Sequence, residues 1–176
     1  LQPLPYPAAE RLMTVWQTFP HWRDRPVLCE FWDRIALSWD DYQAARRARS
    51  LDDIAVYYPL ALRVFRPDAR PEQMVVDKAS AALLPLLGGR PALGRWFRPA
   101  EEGATADNVV LLSYAEWQTR WGGSAQVLGR SVRLNSTTYQ IIGVMPRHFE
   151  VRGLHPRAET DAASFWIPIG TDPSDF

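Results

Sequence analysis

The stretch RSVRLNSTTYQIIGVMPRHFE, from Arg130 to Glu150, constrains the fold of this chain more than any other segment. Val132 and Leu134 alternate with Arg133, the polar cluster Asn135-Ser136-Thr137-Thr138 follows, and Tyr139-Gln140-Ile141 alternates again. Period-two alternation puts one set of side chains on a buried face and the other in water, and short polar side chains that bond their own backbone favour a turn between them. The segment predicts a β-hairpin turning within the four polar residues. It carries no nucleophile, no ligand pair and no phosphate cradle, so its contribution is architectural.

The rest of the chain reads as short elements joined by stiff turns, as its 15 prolines require. RLMTVWQT, Arg11 to Thr18, reads as a strand buried on both faces, with Leu12, Thr14 and Trp16 opposite Met13 and Val15. The segment from Phe19 to Leu37 reads as a short strand around Val27 to Phe31 or as a loop packing its aromatics. Ser38 followed by Asp41 predicts a capped helix with Trp39, Tyr42 and Ala45 inward. Ser50-Leu51-Asp52-Asp53 repeats the cap signature, with Leu51, Ile54 and Tyr57 inward. Strands at LALRVF and EQMVVDKA follow, joined by the turn RPDARP, and then a short helix opened by Ser80 and stopped at Gly88-Gly89. After a long connection, VVLL reads as a buried strand. Ser113 with Glu116 caps a helix on which Trp117 and Trp121 share a face. SFWIPI reads as a last strand.

Composition excludes several functions. Twenty basic residues balance twenty acidic ones, without the basic excess of a nucleic-acid binder. Only Lys78 is a lysine, and the cluster Arg46, Arg47 and Arg49 is flanked by Asp40, Asp41, Asp52 and Asp53, as on a solvated helix face. Cys29 is the one cysteine, so no internal disulfide forms. No apolar run approaches the roughly 18 residues of a membrane span. The chain begins at LQPLPYP, which reads as a piece of a longer protein.

Chemistry-bearing constellations are sparse. No GxxxxGK[ST], GxGxxG or GxSxG occurs. A Ser–His–Asp site would draw on Ser113 or Ser131, His148 or His155, and Asp161, a set that any chain of this length contains. His21, His148 and His155 are the only histidines and no two are four apart, which disfavours zinc. Glu101-Glu102 lie in a Pro/Gly-rich loop, where solvated carboxylates are expected rather than a glycosidase pair. Asp52-Asp53 read as capping residues. No catalytic, metal or cofactor residue is assigned. Of the eight tryptophans, Trp16, Trp39, Trp117 and Trp166 fall on expected buried faces. Trp22, Trp32 and Trp96 lie in loops and are the candidate contacts for a partner or ligand.

Several stretches, in order, resemble one family: LPYPAAERLMTVW, LLPLLGGRPALGRWFRPAEE, NVVLLSYAEWQTRWGGSAQVLGRSVRLNSTTYQIIGVMPRHFE and FWIPI. Together they are similar to the MacB-like periplasmic core domain of bacterial ABC-type permeases of the MacB/FtsX kind. The resemblance implies an α+β fold: a porter-like lobe of βαβ units with a mixed sheet over 1–99, and an inserted, smaller β-rich second lobe over 100–176 with one helix and the hairpin. It also implies a position between the first and second membrane helices of a permease, on the periplasmic or extracellular face of the inner membrane. LNSTTY stands where the family has a shorter turn with Gly, and Gly89 where a larger apolar residue is usual. The family's further strand and helix after the last strand are missing, so the first lobe is read as incomplete, with an open sheet edge.

The function that follows is a non-catalytic extracytoplasmic domain. It would couple membrane-helix motion, driven by a separate ATPase, to a periplasmic partner or to substrate efflux. Its expected partners are the parent permease's membrane helices and its ATPase, with a second permease copy or a periplasmic protein, and no nucleic acid. The alternative is an extracytoplasmic module binding a glycan, peptide or lipid through its loop tryptophans.

Overall fold

The computed structural model describes residues 6, 9–27, 29, 32–33, 35, 37–65, 70–147, 149, 151 and 162–170. Among them, seven strands and three short α-helices follow in the order α1 (Trp39–Ala45), β1 (Tyr57–Phe65), β2 (Glu72–Ala79), α2 (Leu83–Leu86), β3 (Leu93–Gly94), β4 (Val109–Leu112), α3 (Tyr114–Arg120), β5 (Ser131–Leu134), β6 (Thr137–Val144) and β7 (Phe165–Pro168). The hairpin forms as β5 and β6, antiparallel, with Val132 opposite Tyr139 and Leu134 opposite Thr137. Its turn is tighter than the sequence suggests. Only Asn135 and Ser136 stand outside the strands, and Asn135 takes the left-handed φ of 52°. Asn tolerates that region better than most non-glycine residues, so the chain reverses in two residues and both threonines join β6.

All seven strands belong to one mixed sheet, in the order β3-β6-β4-β7-β2-β1-β5. Because β5 pairs with β6 as well as with β1, the order returns on itself: six strands form a ring and β3 stands outside it. β2 with β7 and β4 with β6 are parallel, and the other pairs are antiparallel. The coarse α+β expectation, a mixed sheet with few helices, is met. The strands of residues 1–99 and those of residues 100–176 share this sheet, with β2 beside β7. Among the described residues of the first part, β1 and β2 are an antiparallel pair rather than two arms of a βαβ unit.

Strand alternation divides the core in two. Val64, Val76, Val110, Leu112, Val132, Leu134, Tyr139, Ile141, Phe165 and Ile167 form a cluster on one face of the ring, with Tyr114, Trp117 and Trp121 around α3 packed against it. Val109, Leu111 and Trp166 point the other way and pack with Leu83, Leu84, Leu87, Phe97 and Met145. β4 and β7 are buried at every residue, as strands covered on both faces must be. The helix caps form as expected. Ser38 accepts from the Asp41 N–H and Ser113 from the Glu116 N–H. No helix follows Ser50, although Ile54 is buried.

The expected strand at Arg11–Thr18 does not form. The segment has a short 3-10 turn at Ala9–Arg11 and a single bridge between Gln17 and Ile35, while Met13 is 73% and Val15 45% exposed. An apolar pattern becomes a buried strand only where neighbouring strands exist to cover it. Among the described residues one bridge is all the strand pairing this segment has. From Phe19 onward the chain makes a 3-10 turn at Pro20–Trp22 and a loop with Val27 exposed. Leu28, Glu30 and Phe31, most of the turn between β1 and β2, and most of the loop after Val151 lie outside the described residues.

β3 meets β6 at unusually close range. A Cβ on Gly143 would stand 2.5 Å from the Arg95 carbonyl oxygen, and one on Gly94, at φ +70°, 2.3 Å from that of Ile142. Both obstacles are backbone and have no rotamer to move into. Gly143→Ala is expected to destabilise the fold by about 1–3 kcal/mol and to speed amide exchange at Arg95, whose N–H donates to Ile142. Denaturant unfolding and hydrogen exchange measure the two effects; an unchanged midpoint contradicts the close approach.

Candidate functional site

The described residues that sequence reasoning could assign to chemistry are spoken for or dispersed. The Ser113 hydroxyl caps α3, and Ser131 lies exposed on β5. His148, His155 and Asp161 lie outside the described residues. His21 is exposed and meets Phe19 and Trp22 edge-on, while Cys29 is exposed with its Sγ 3.6 Å from the Pro26 carbonyl. Asp52 pairs with Arg11, and Asp53 accepts from the Ile54 N–H. No three His, Cys, Asp or Glu side chains among the described residues cluster to hold a metal.

Glu101 and Glu102 are not the solvated carboxylates that their loop suggests. Glu101 is 8% exposed and receives a guanidinium fork from Arg95, at 2.5 and 2.9 Å, with the Arg98 N–H at 2.8 Å. Burial alone would push its pKa up, but the hydrogen bonds from Arg95 and Arg98 and their positive charges outweigh it and hold the carboxyl below its usual range. Glu102 accepts from the Ala81 N–H at 2.6 Å and from Arg46 at 3.2 Å, tying the end of α1 to the entry of α2. The local signal was Pro99 at the start of a 3-10 turn with Glu101 three residues after Arg98. The remote partners leave no trace in a single sequence. Both carboxylates act as clamps.

The candidate contact tryptophans separate into two settings. Trp22 stacks on Phe19 at 4.7 Å, and Phe19 donates its N–H to the Trp32 carbonyl, so Trp22 and Trp32 belong to one loop cluster. The Arg23 guanidinium lies 4.1 Å over the Trp32 ring. Trp96 packs instead with the second core cluster, and its indole N–H donates to the Ala81 carbonyl at 2.8 Å. Of the tryptophans expected inside, Trp166 is 3% exposed, while Trp16, Trp39 and Trp117 are half-buried.

One buried charge stands out. Asp77, on β2 between Pro59 and Trp166, is 7% exposed, and burial pushes its pKa up to about 7. Burial also raises the phenol of Tyr57, helped by the nearby Asp77 charge. An Asp beside a Lys in a strand reads as solvated, so this burial is not legible locally.

Among the described residues no group of His, Cys, Asp and Glu could hold a metal ion, and no helix is long and apolar enough to cross a membrane. The sequence profile of the MacB-like periplasmic core domain matches residues 4–176. The chain belongs to this family. No curated protein matches it by sequence. Among solved structures, the periplasmic region of MacB from Actinobacillus actinomycetemcomitans is similar at a TM-score of 0.61 and 12% identity, over 77% of this chain and 56% of that one. The extracellular domain of the noncanonic ABC-type transporter YknZ from Gram-positive bacteria is similar at 0.61 and 8% identity, over 87% of this chain and 70% of that one. At such identities these two likenesses speak for the fold, while the profile speaks for the family.

Asp77 gives a measurable consequence. With a folded pKa near 7 against about 3.9 unfolded, both states are protonated in acid and the group costs nothing there. As pH rises through 4 towards 7 the unfolded chain ionises more readily, so stability is lost until the folded group has ionised as well. Asp77→Asn is expected to be close to wild type at pH 4 and more stable at pH 8, by at most about 4 kcal/mol. Thermal melts at both pH values check it; equal shifts at both contradict the assignment.

Proposed function

We propose that this chain is a non-catalytic extracytoplasmic domain of an ABC-type permease, on the periplasmic or extracellular side of the membrane. In this reading it couples membrane-helix motion, driven by a separate ATPase, to a periplasmic partner or to substrate efflux. The observation that carries the reading is the family match over residues 4–176. The sheet supports it: a ring buried on both faces at β4 and β7 transmits force as one body. The division into a porter-like lobe (1–99) and an inserted lobe (100–176) belongs to the same proposal, supported by the long proline-bearing connection before β4. With β2 paired to β7, the two parts would move together.

The test uses the full-length permease. Replacing residues 6–170 by a short Gly/Ser linker is expected to leave ATP hydrolysis by its ATPase in place and to lower efflux at least about tenfold, one decade of coupling being worth roughly 1.4 kcal/mol. Unchanged efflux would overturn the coupling role. So would hydrolysis of ATP or an ester by the purified chain at enzymatic rates.

A second reading, a ligand-binding module, draws on the half-buried Trp22 and Trp32 in one loop cluster. It predicts tryptophan quenching on titration with a glycan or peptide, lost in Trp32→Ala.

A further inference from the structure

Asp77 stands in the middle of the sheet, with β1 on one side of its strand and β7 on the other. Alternation along β2 sends Val76 into the first core cluster and Asp77 to the opposite face, where Ala79 and Trp166 belong to the second. The carboxyl is 7% exposed, and among the described residues no hydrogen bond and no cation offsets its burial. A buried polar group without a partner is rare enough in folded proteins to need a reason. The charged and titratable groups around it are few. Tyr57 on β1 is close enough to feel the Asp77 charge, and Tyr57 in turn feels the phenol of Tyr6. β7 presents Trp166, α2 is built of leucine and proline, and Lys78 points to the other face. Phe149 meets Trp166 edge-on, and the adjoining His148 and Glu150 lie outside the described residues.

The pieces that cover this face are held with unequal firmness. Beside Ala55, the Val56 N–H donates to the Ser80 hydroxyl and the Val56 carbonyl accepts from the Ser80 N–H. Trp96 and the entry of α2 are tied together at Ala81. Tyr6 and Leu12 pack on the same cluster, but among the described residues the turn Ala9–Leu12 has no strand pairing. Glu10 and Arg11 are exposed there, and the pair from Arg11 to Asp52 is a surface one, which contributes little. Local opening starts where a cover is held least. We propose that the turn Ala9–Leu12 is a proton-controlled flap: it lies on the second core face while Asp77 is protonated, and lifts when Asp77 releases its proton to water. An unpaired carboxylate in an apolar face is stabilised by any opening that admits water. With the flap closed the group ionises near 7, and with it lifted nearer to the ordinary value of about 3.9. Opening therefore becomes easier by up to about tenfold per pH unit between those values and levels off above about pH 8.

In the cell the use of such a flap rests on the permease reading, which places the chain outside the buffered cytoplasm. The flap itself is tested on the purified chain without that reading. Hydrogen exchange, corrected for its intrinsic pH dependence, reads the protection of the Leu12 amide, which donates to the Ala9 carbonyl. That protection is expected to fall roughly ten- to hundredfold between about pH 5 and about pH 8.5, while amides of β2 and β4 change far less. Asp77→Asn removes the titrating group and should hold the Leu12 protection level across the range. Asp77→Leu serves the same end should the Asn variant not fold. His148→Gln should keep the wild-type profile.

A wild-type change of less than about threefold overturns the proposal, as does the same loss of protection in the Asp77 variants. Loss at β2 and β4 in step with Leu12 would make the event global unfolding, and loss confined to Phe149 and Val151 would put the opening on the other side; either overturns it. A pH profile abolished by His148→Gln would assign the switch to the histidine and overturn it too. Failure here would leave the permease reading standing, since the linker-replacement experiment decides that separately.

Discussion

Two residue pairs, Val64 with Leu134 and Phe65 with Arg133, turn an open sheet into a ring. Everything inside depends on that short seam. It brings the β1–β2 pair against the β5–β6 hairpin, so that Val64 and Leu134, both nearly inaccessible, share one interior with Phe165 and Ile141. Asn135 extends the seam by one step without extending a strand. Its N–H donates to the Arg63 carbonyl, and its side-chain oxygen accepts from the Arg63 N–H. The turn residue thus satisfies both polar groups of its neighbour at the point where the ladder ends. Arg133 covers the seam from outside, 3.9 Å over the Phe65 ring.

On the opposite face the organising groups are polar. Ala81 is held on both sides: its N–H by Glu102 and its carbonyl by the Trp96 indole. Glu102 also takes Arg46 from α1, so a helix early in the chain, the entry of α2 and the 3-10 turn at Pro99–Glu101 meet at one carboxylate. Such clamps add little if exposed and more when buried, because breaking one leaves a charge without water. Their role here is to fix the angle between these elements.

What the sequence announced was local. The β5–β6 alternation, the serine caps at Ser38 and Ser113, and the doubly buried VVLL strand all rest on physics acting within a few residues. The four family-like stretches, too weak singly, agree with the profile match across residues 4–176. What stayed hidden involves distance. Arg63 and Asn135 are 72 residues apart, and Arg46 and Glu102 are 56 apart. Nothing in either neighbourhood names its partner. RLMTVWQT failed as a strand for the same reason: a β pattern proposes a surface, and only the rest of the chain supplies the strand that completes it. Of the loop tryptophans, Trp22 and Trp32 could be grouped by closeness in sequence, whereas the bond from Trp96 to Ala81 depends on how α2 packs.

The register of β1 settles how its outer margin behaves. Since both amide groups of Arg63 turn towards Asn135, alternation turns those of Ala61 and Pro59 to the same side, away from β2. Proline has no hydrogen to offer there, and at Arg63 the hairpin tip already occupies the site. A stray chain aligning with this rim would meet Ala61 flanked by a bulky cation and a stiff ring. The molecule carries its own guard against templated stacking, where a Trp-rich β protein would otherwise be vulnerable.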